Sequence, residues 1–378
     1  MRIIVSGYIG KKITGIGRNL ICLLDASSSD NEYIVYTNKD MEEEFRFNNP
    51  KVIIKTYSIS KYDSLKNLLW TTFVFPFVAI KERADRVLIP NFTLLLFKFR
   101  PTVVIMHDLI EFNVKDKFSK KKMFYRTKLA DPITAKNANR IITVSENSKK
   151  DLMHFLHVRE EKIRVVYNGV DRERFCKMSQ TQRDAILSER GWPKEYFLYA
   201  GTIDHPGKNA MSIVKVFENL KRKGKYHGSL VLAGMPGSGY EFVQDYINGS
   251  EYKRDIILTG FVTDEELCAL YSACRVFCFV SLYEGFGIPP LEAMACGAKV
   301  VVSNTSSLPE VVGSIGWTVN PKSLDEIEAA VYEALNDMNP AYETQVDEHL
   351  KKYDWVVLSK KFEQALTGRE KADLRNRC

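Results

Sequence analysis

The stretch Y-E-G-F-G-I-P-P-L-E-A-M-A-C-G, residues 283–297, carries the clearest signal in the chain. It follows the apolar run V-F-C-F-V at 276–280 and leads into a helical pattern, so it reads as a turn from a strand into a helix. Pro289 and Pro290 mark the helix start, because first-turn amides have no partner within the helix and proline forfeits nothing there. Gly285 and Gly287 let the backbone come close to a ligand, and free amides at the positive end of a helix suit a diphosphate. Glu284 and Glu292 flank that turn. Phosphate repels carboxylates, so the pair calls for hydroxyl-bearing partners such as ribose or hexose. Glu292 alone would be explained by helix-dipole complementarity, and Glu284 alone by chance; the two around a glycine turn are not.

Outward from this element the same rhythm recurs. Short apolar runs at 2–6, 33–37, 86–89, 102–106, 140–144 and 163–166 alternate with helical patterns, among them 120–137 and 147–156. A second series runs through 196–200, 230–233, 256–258, 276–280 and 299–302. Alternating strands and helices predict parallel sheets covered by helices, an α/β fold of two doubly wound units. Such units bind ligands at the carboxyl ends of their strands, so a shared central cleft is the expected site. Residues 168–193 lose periodicity and read as the connection. The expected domains are 1–172 and 190–354, with an amphipathic helix at 355–378 packing back on the first.

Bulk properties agree. A chain of 378 residues exceeds one ordinary core, and 45% hydrophobic with 27% charged residues is a globular composition. The net charge of +7 fits an anionic ligand or membrane surface without requiring nucleic acid. Seven scattered cysteines, with no C-x-x-C, predict free thiols in a reducing cytoplasm. The longest apolar run, 68–80, is interrupted by Pro76 and too short to span a bilayer.

The 283–297 stretch resembles the retaining glycosyltransferases of family 4, whose signature is two glutamates separated by seven residues around a G-F-G loop. Glu284 and Glu292 match that spacing. The resemblance extends along the chain through T-G-I-G-R at 14–18, H-D-L at 107–109, V-S-E-N-S-K-K-D-L at 144–152, V-V-Y-N-G-V-D at 165–171 and A-G-T-I-D-H-P-G-K-N at 200–209. It implies the GT-B fold, two Rossmann-like domains facing a central cleft. It implies that Glu284 contacts the donor sugar, that Glu292 holds the ribose, and that the backbone of Gly285, Phe286, Gly287 and Ile288 serves sugar and diphosphate. His107, after a strand, would contact a sugar hydroxyl; Gly15, Gly17 and Arg18 would face the donor from the first domain. Gly201, Thr202 and Lys208 would form the phosphate loop of the second, with Lys208 as its cation. Relatives often carry arginine at the positions of Thr202 and Gly207, which leaves Lys208 the main expected charge, helped by Arg18.

The implied activity is metal-independent, retaining hexose transfer from a nucleoside diphosphate sugar, GDP-mannose or a UDP-hexose, to a glycan or lipid-linked acceptor. No D-x-D occurs, the six histidines form no cluster, and no other cofactor is implied. A nucleotide-sugar epimerase on the same scaffold and a non-catalytic nucleotide-sugar-binding subunit are the alternatives. The basic stretch at 115–128, K-D-K-F-S-K-K-K-M-F-Y-R-T-K, reads equally as a solvated helix face or as a dock for an anionic membrane. No nucleic-acid motif accompanies it.

Overall fold

The computed structural model describes residues 1–10, 13, 15–91, 93–114 and 119–368. Thr14 of the first glycine loop, residues 115–118 of the basic stretch and the tail 369–378 lie outside the described residues. The chain divides into two compact units, one comprising residues 1–169 and 354–378, the other residues 170–353.

In the first unit seven parallel strands form one sheet: β1 (Arg2–Ser6), β2 (Glu32–Asn38), β3 (Val52–Tyr57), β4 (Arg86–Ile89), β5 (Thr102–Ile105), β6 (Arg140–Thr143) and β7 (Ile163–Val165). Their order is β3-β2-β1-β4-β5-β6-β7, all pairs parallel. Side chains alternate across the pleat, so β1 sends Ile3 and Val5 to one core and Ile4 to the other. Interior strands are apolar on both faces, as a sheet with helices on each side requires. β3 escaped the sequence reading because it lies at an edge and none of its residues is buried.

The helix Trp355–Thr367 packs in this unit: Leu358, Phe362 and Leu366 join the Ile3 core. Ser359 Oγ donates to Leu23 O at 2.9 Å, and Arg140 Nη1 to Ala365 O at 2.6 Å. Asp354 begins it by accepting from the amides of Val356 and Val357.

The second unit has six parallel strands: β8 (Tyr196–Ala200), β9 (Ser229–Ala233), β10 (Ile256–Gly260), β11 (Val276–Phe279), β12 (Val300–Ser303) and β13 (Trp317–Val319). The order is β10-β9-β8-β11-β12-β13. In both units the chain winds one way from the first strand and then the other, so a crevice opens beyond the carboxyl ends of β1 and β4, and of β8 and β11. The stretch read as a connection differs from expectation. It carries the helix Gln180–Glu189, capped by Ser179, and Arg183 Nη1 from that helix donates to Ser272 O at 2.7 Å. The helix shows little amphipathic contrast, with Leu187 its one buried residue, which is why periodicity missed it. The described cysteines are free; the sulfurs of Cys268 and Cys296 lie 3.5 Å apart, too far for a disulfide but close enough for a thiol hydrogen bond.

Candidate functional site

At the end of β11 the chain turns through residues 280–287 into the helix Ile288–Ala295, with Pro289 and Pro290 in its first turn. Gly287 precedes that helix at φ 103°, and a Cβ there would stand 2.5 Å from Leu308 Cδ2. Only glycine satisfies both conditions. Two serines hold the turn: the Glu284 amide donates to Ser306 Oγ at 3.0 Å, while Ser307 Oγ lies 3.0 Å from Glu284 O and 2.6 Å from Phe286 O.

The loop after β8 meets this turn. Lys208 Nζ donates to Glu284 Oε1 at 2.5 Å and lies 5.6 Å from the centroid of the Phe279 ring. The pair is mostly enclosed, with 29% of the lysine and 13% of the glutamate side chain exposed. The Lys208 amide donates to Asp204 Oδ1 at 3.2 Å. Asn209, left-handed at φ 59°, donates from Nδ2 to Val280 O at 3.1 Å and to Pro321 O at 2.7 Å. Leu282 N donates to Gly207 O at 2.9 Å. The two loops are therefore one rigid assembly, with a cation and a carboxylate beside a helix start.

Glu292 sits in the helix Ile288–Ala295, and the Tyr271 hydroxyl donates to its Oε2 at 3.4 Å. Burial holds the Tyr271 phenol well above its ordinary pKa, so it remains a donor. The two glutamates thus have different neighbours, a cation for Glu284 and a neutral hydroxyl for Glu292.

Gly201 stands at φ 145°, and Thr202 is exposed, its carbonyl accepting from the Tyr199 hydroxyl at 2.7 Å. Packed against this loop is a second, G-M-P-G-S-G at 234–239, whose role no local sequence pattern announces. A Cβ on Gly234 would lie 1.9 Å from Gly201 O, one on Gly237 2.5 Å from Thr202 Cγ2, and one on Gly239 2.4 Å from His205 O. Gly201, Thr202, Lys208, Glu284 to Ile288 and Glu292 all belong to this one unit.

Gly15, Gly17, Arg18 and His107 belong to the first unit. Gly15 opens the helix Gly15–Asp25, and Arg18 is exposed near its start. Gly17 lies inside the helix, where a Cβ would fall 2.1 Å from Ile9 Cδ1, so its small size serves packing. His107 follows β5 and is buried, with Nε2 3.1 Å from Pro90 O. Burial pushes its pKa down to about 4. A neutral ring donating from Nε2 leaves Nδ1 as an acceptor. Beyond β1 and β4 a small cavity is lined by Ser6, Tyr8, Thr71, Asn91 and Thr93, and Thr71 Oγ1 is buried without a hydrogen-bond partner. Among the described residues, no group of three or more His, Cys, Asp or Glu side chains is placed to hold a metal ion. None of their helices is long and apolar enough to cross a membrane.

Comparison with known proteins follows the same division. Residues 182–354 match the family described as glycosyl transferases group 1, and residues 18–174 match glycosyltransferase family 4. The serotype-specific mannosyltransferase WbdA of Escherichia coli is 30% identical over 242 residues, 62% of this chain and 29% of WbdA. The O-antigen chain mannosyltransferase B of Escherichia coli is 30% identical over 250 residues, 66% of this chain and 64% of that protein. The chain therefore spans less than two thirds of the length of these relatives. Among solved structures, the sucrose-phosphate synthase of Thermosynechococcus elongatus superposes with a TM-score of 0.75 at 17% identity, covering 96% of this chain and 98% of that one. HepE of Anabaena, in complex with UDP and glucose, superposes with a TM-score of 0.74 at 16% identity, covering 97% and 100%. At such identities the likeness is one of fold, two Rossmann-like sheets of the GT-B kind. With both of its halves matched, the chain belongs to the family 4, group 1 glycosyltransferases.

Proposed function

We propose that this protein transfers a hexose, with retention and without a metal ion, from a nucleoside diphosphate sugar to a glycan or lipid-linked acceptor in cell-surface polysaccharide synthesis. The observation that carries the reading is the Lys208–Glu284 pair beside the start of the helix Ile288–Ala295. Each group satisfies the other in this structure. A donor separates their tasks: the ammonium turns to the diphosphate and the carboxylate to a hydroxyl of the sugar. Glu292 accepts from the ribose hydroxyls, and the amides of Gly285, Phe286, Gly287 and Ile288 serve sugar and diphosphate.

Transfer then proceeds on one face of the sugar. The bond from the anomeric carbon to the diphosphate oxygen breaks, the acceptor oxygen bonds to the same face, and its proton passes to the departing phosphate. Lys208 and the helix-start amides stabilise the charge growing on that phosphate, which is where preorganised dipoles accelerate a reaction most. His107, neutral at physiological pH, offers Nδ1 to a sugar hydroxyl. The likeness to proteins named as mannosyltransferases supports a mannose donor, GDP-mannose, ahead of a UDP-hexose for this chain. An acceptor carried on lipid would place the protein at the cytoplasmic face of a membrane, where the exposed Lys120, Lys121, Lys122 and Lys128 of the basic stretch meet anionic headgroups, while Arg126 is buried against Glu111.

The test is a thermal-shift panel of nucleotide sugars and free nucleotides, since a ligand bound by the native state raises its melting temperature. GDP-mannose or a UDP-hexose should stabilise the protein in a concentration-dependent way, and release of nucleoside diphosphate should follow when a glycan acceptor is added. No shift with any nucleotide sugar would overturn the reading.

A further inference from the structure

The helix at residues 64–81 turns an apolar stripe outward. Leu65, Leu69, Phe73, Phe77 and Ile80 are 66%, 46%, 45%, 60% and 42% exposed, at intervals of four, four, four and three residues. Its opposite side, with Phe75 and Ala79, is buried in the core against the sheet. Most of this stripe falls within the 68–80 run, which is too short to cross a bilayer.

A neighbouring loop widens the stripe. Phe97 and Phe99 are each 48% exposed. Their ring centroids lie 6.0 Å from that of Phe73 and 5.0 Å from that of Phe77, respectively. Thr72 Oγ1 ties the helix to the loop by donating to Leu94 O at 3.1 Å. On its far side the loop is held by Asn137 Nδ2, which donates to Leu95 O at 2.8 Å. The aromatic side chains are therefore carried on fixed backbone as a half-exposed ridge.

The segments that carry it hold charges of one sign. Neither residues 64–81 nor residues 91–107 contain an aspartate or glutamate, in a chain with 47 of them. Lys66, Lys81 and Lys98 are exposed in these segments. Of the acids that bracket the helix, Asp63 pairs with Lys66 at 2.9 Å and Glu82 with Lys55 at 2.6 Å. A half-exposed ridge of phenylalanine and leucine, on segments without acids and with Lys81 and Lys98 exposed beside it, is complementary to the headgroup boundary of an anionic bilayer, where rings enter the apolar layer and ammonium groups meet phosphates.

We propose that helix 64–81 and the 94–99 loop insert into an anionic phospholipid membrane and hold the first unit on it. The apolar ridge gives the binding its grip, and the lysines give it charge selectivity. This goes beyond the transfer reading and does not depend on it, since it needs neither donor nor acceptor.

The experiment is co-sedimentation of the full chain with phosphatidylglycerol vesicles and with phosphatidylcholine vesicles, at low and high salt. Wild type should prefer the anionic vesicles and keep part of its binding at high salt. Replacing Phe73, Phe77 and Phe97 together with serine should weaken binding by about tenfold or more, because three ring insertions are lost. Replacing them with leucine should restore most of it, and unchanged thermal unfolding would show that the serine variant is folded. Unchanged binding by the serine variant, or wild-type binding that salt abolishes entirely, would overturn the proposal. Self-association of wild type without lipid that the serine variant abolishes would overturn it equally, making the ridge a protein interface.

Discussion

Glu284 and Lys208 neutralise one another across 2.5 Å, so a substitution at either one removes a ligand group and also leaves its partner without a counter-charge. Glu284→Gln, which keeps size and hydrogen bonding, should mainly lower turnover, because the proposed contact is with the sugar whose charge changes during transfer. Glu292→Gln should weaken donor, free nucleotide and transition state alike, because the ribose is the same in all three. Steady-state kinetics and nucleotide titration on both variants separate these outcomes; exchanged effects would reverse the roles. Lys208→Ala should cost about tenfold or more in nucleoside diphosphate affinity, as a hydrogen bond to a charged group contributes roughly 1.5–3 kcal/mol. His107 has a different signature. Burial depresses its pKa from 6.5 to about 4, so the unfolded chain binds the proton first as pH falls. The native state then loses stability between pH 6.5 and 4, by about 3 kcal/mol in all. Asp131 has the opposite slope: desolvation and its contact with Glu111 raise it to about 9, so stability falls as pH rises from about 4 to 9. The diagnostic quantity is accordingly the difference between wild type and His107→Asn in urea unfolding. Wild type should lose about 2 kcal/mol more than the variant between pH 7 and pH 5.

At the scale of elements, the site is made by loops that approach more closely than side chains would allow. Gly234 stands at φ 151° with Gly201 O where its Cβ would be. Gly234→Ala should therefore push the loop after β9 off the loop after β8, costing about 2–4 kcal/mol and weakening nucleotide binding. Gly224→Ala is the control: it shares a positive φ, 63°, yet nothing lies within 4 Å of its added Cβ, so only the backbone strain of about 1 kcal/mol remains. Equal destabilisation of the two variants would show that the close approach of these loops does not matter. The E-x7-E turn was legible in the sequence because its glycines and prolines answer to local backbone demands. The 234–239 loop was not, since its glycines are required by what packs on them, and residues 201–205 are some thirty positions away.

At the scale of the molecule, the last helix belongs to the unit that the first strand begins. A chain ending at Tyr353 would strip Leu358, Phe362 and Leu366 from the core around Ile3 and Val5. Calorimetry should then show the first unit's transition lost or strongly lowered while the second unit's survives; an unchanged first transition would mean the helix contributes nothing there. Because Lys208 and the helix-start amides are proposed to meet the diphosphate charge, turnover should persist in excess EDTA, and a loss restored by magnesium or manganese would sink metal independence. Much of this architecture was determined by the sequence itself. Interior parallel strands such as T-V-V-I at 102–105 and V-F-C-F at 276–279 are buried on both faces, so they must be unbroken apolar runs and can be read as such. The edge strands Val52–Tyr57 and Trp317–Val319 are under weaker constraint and left little trace. What only the tertiary structure decided are relations between distant residues: the pairing of Lys208 with a carboxylate 76 positions away, and the outward side of helix 64–81. Local pattern reports how apolar a segment is, while the contacts made by the whole chain determine which of its faces is buried and which charge meets which.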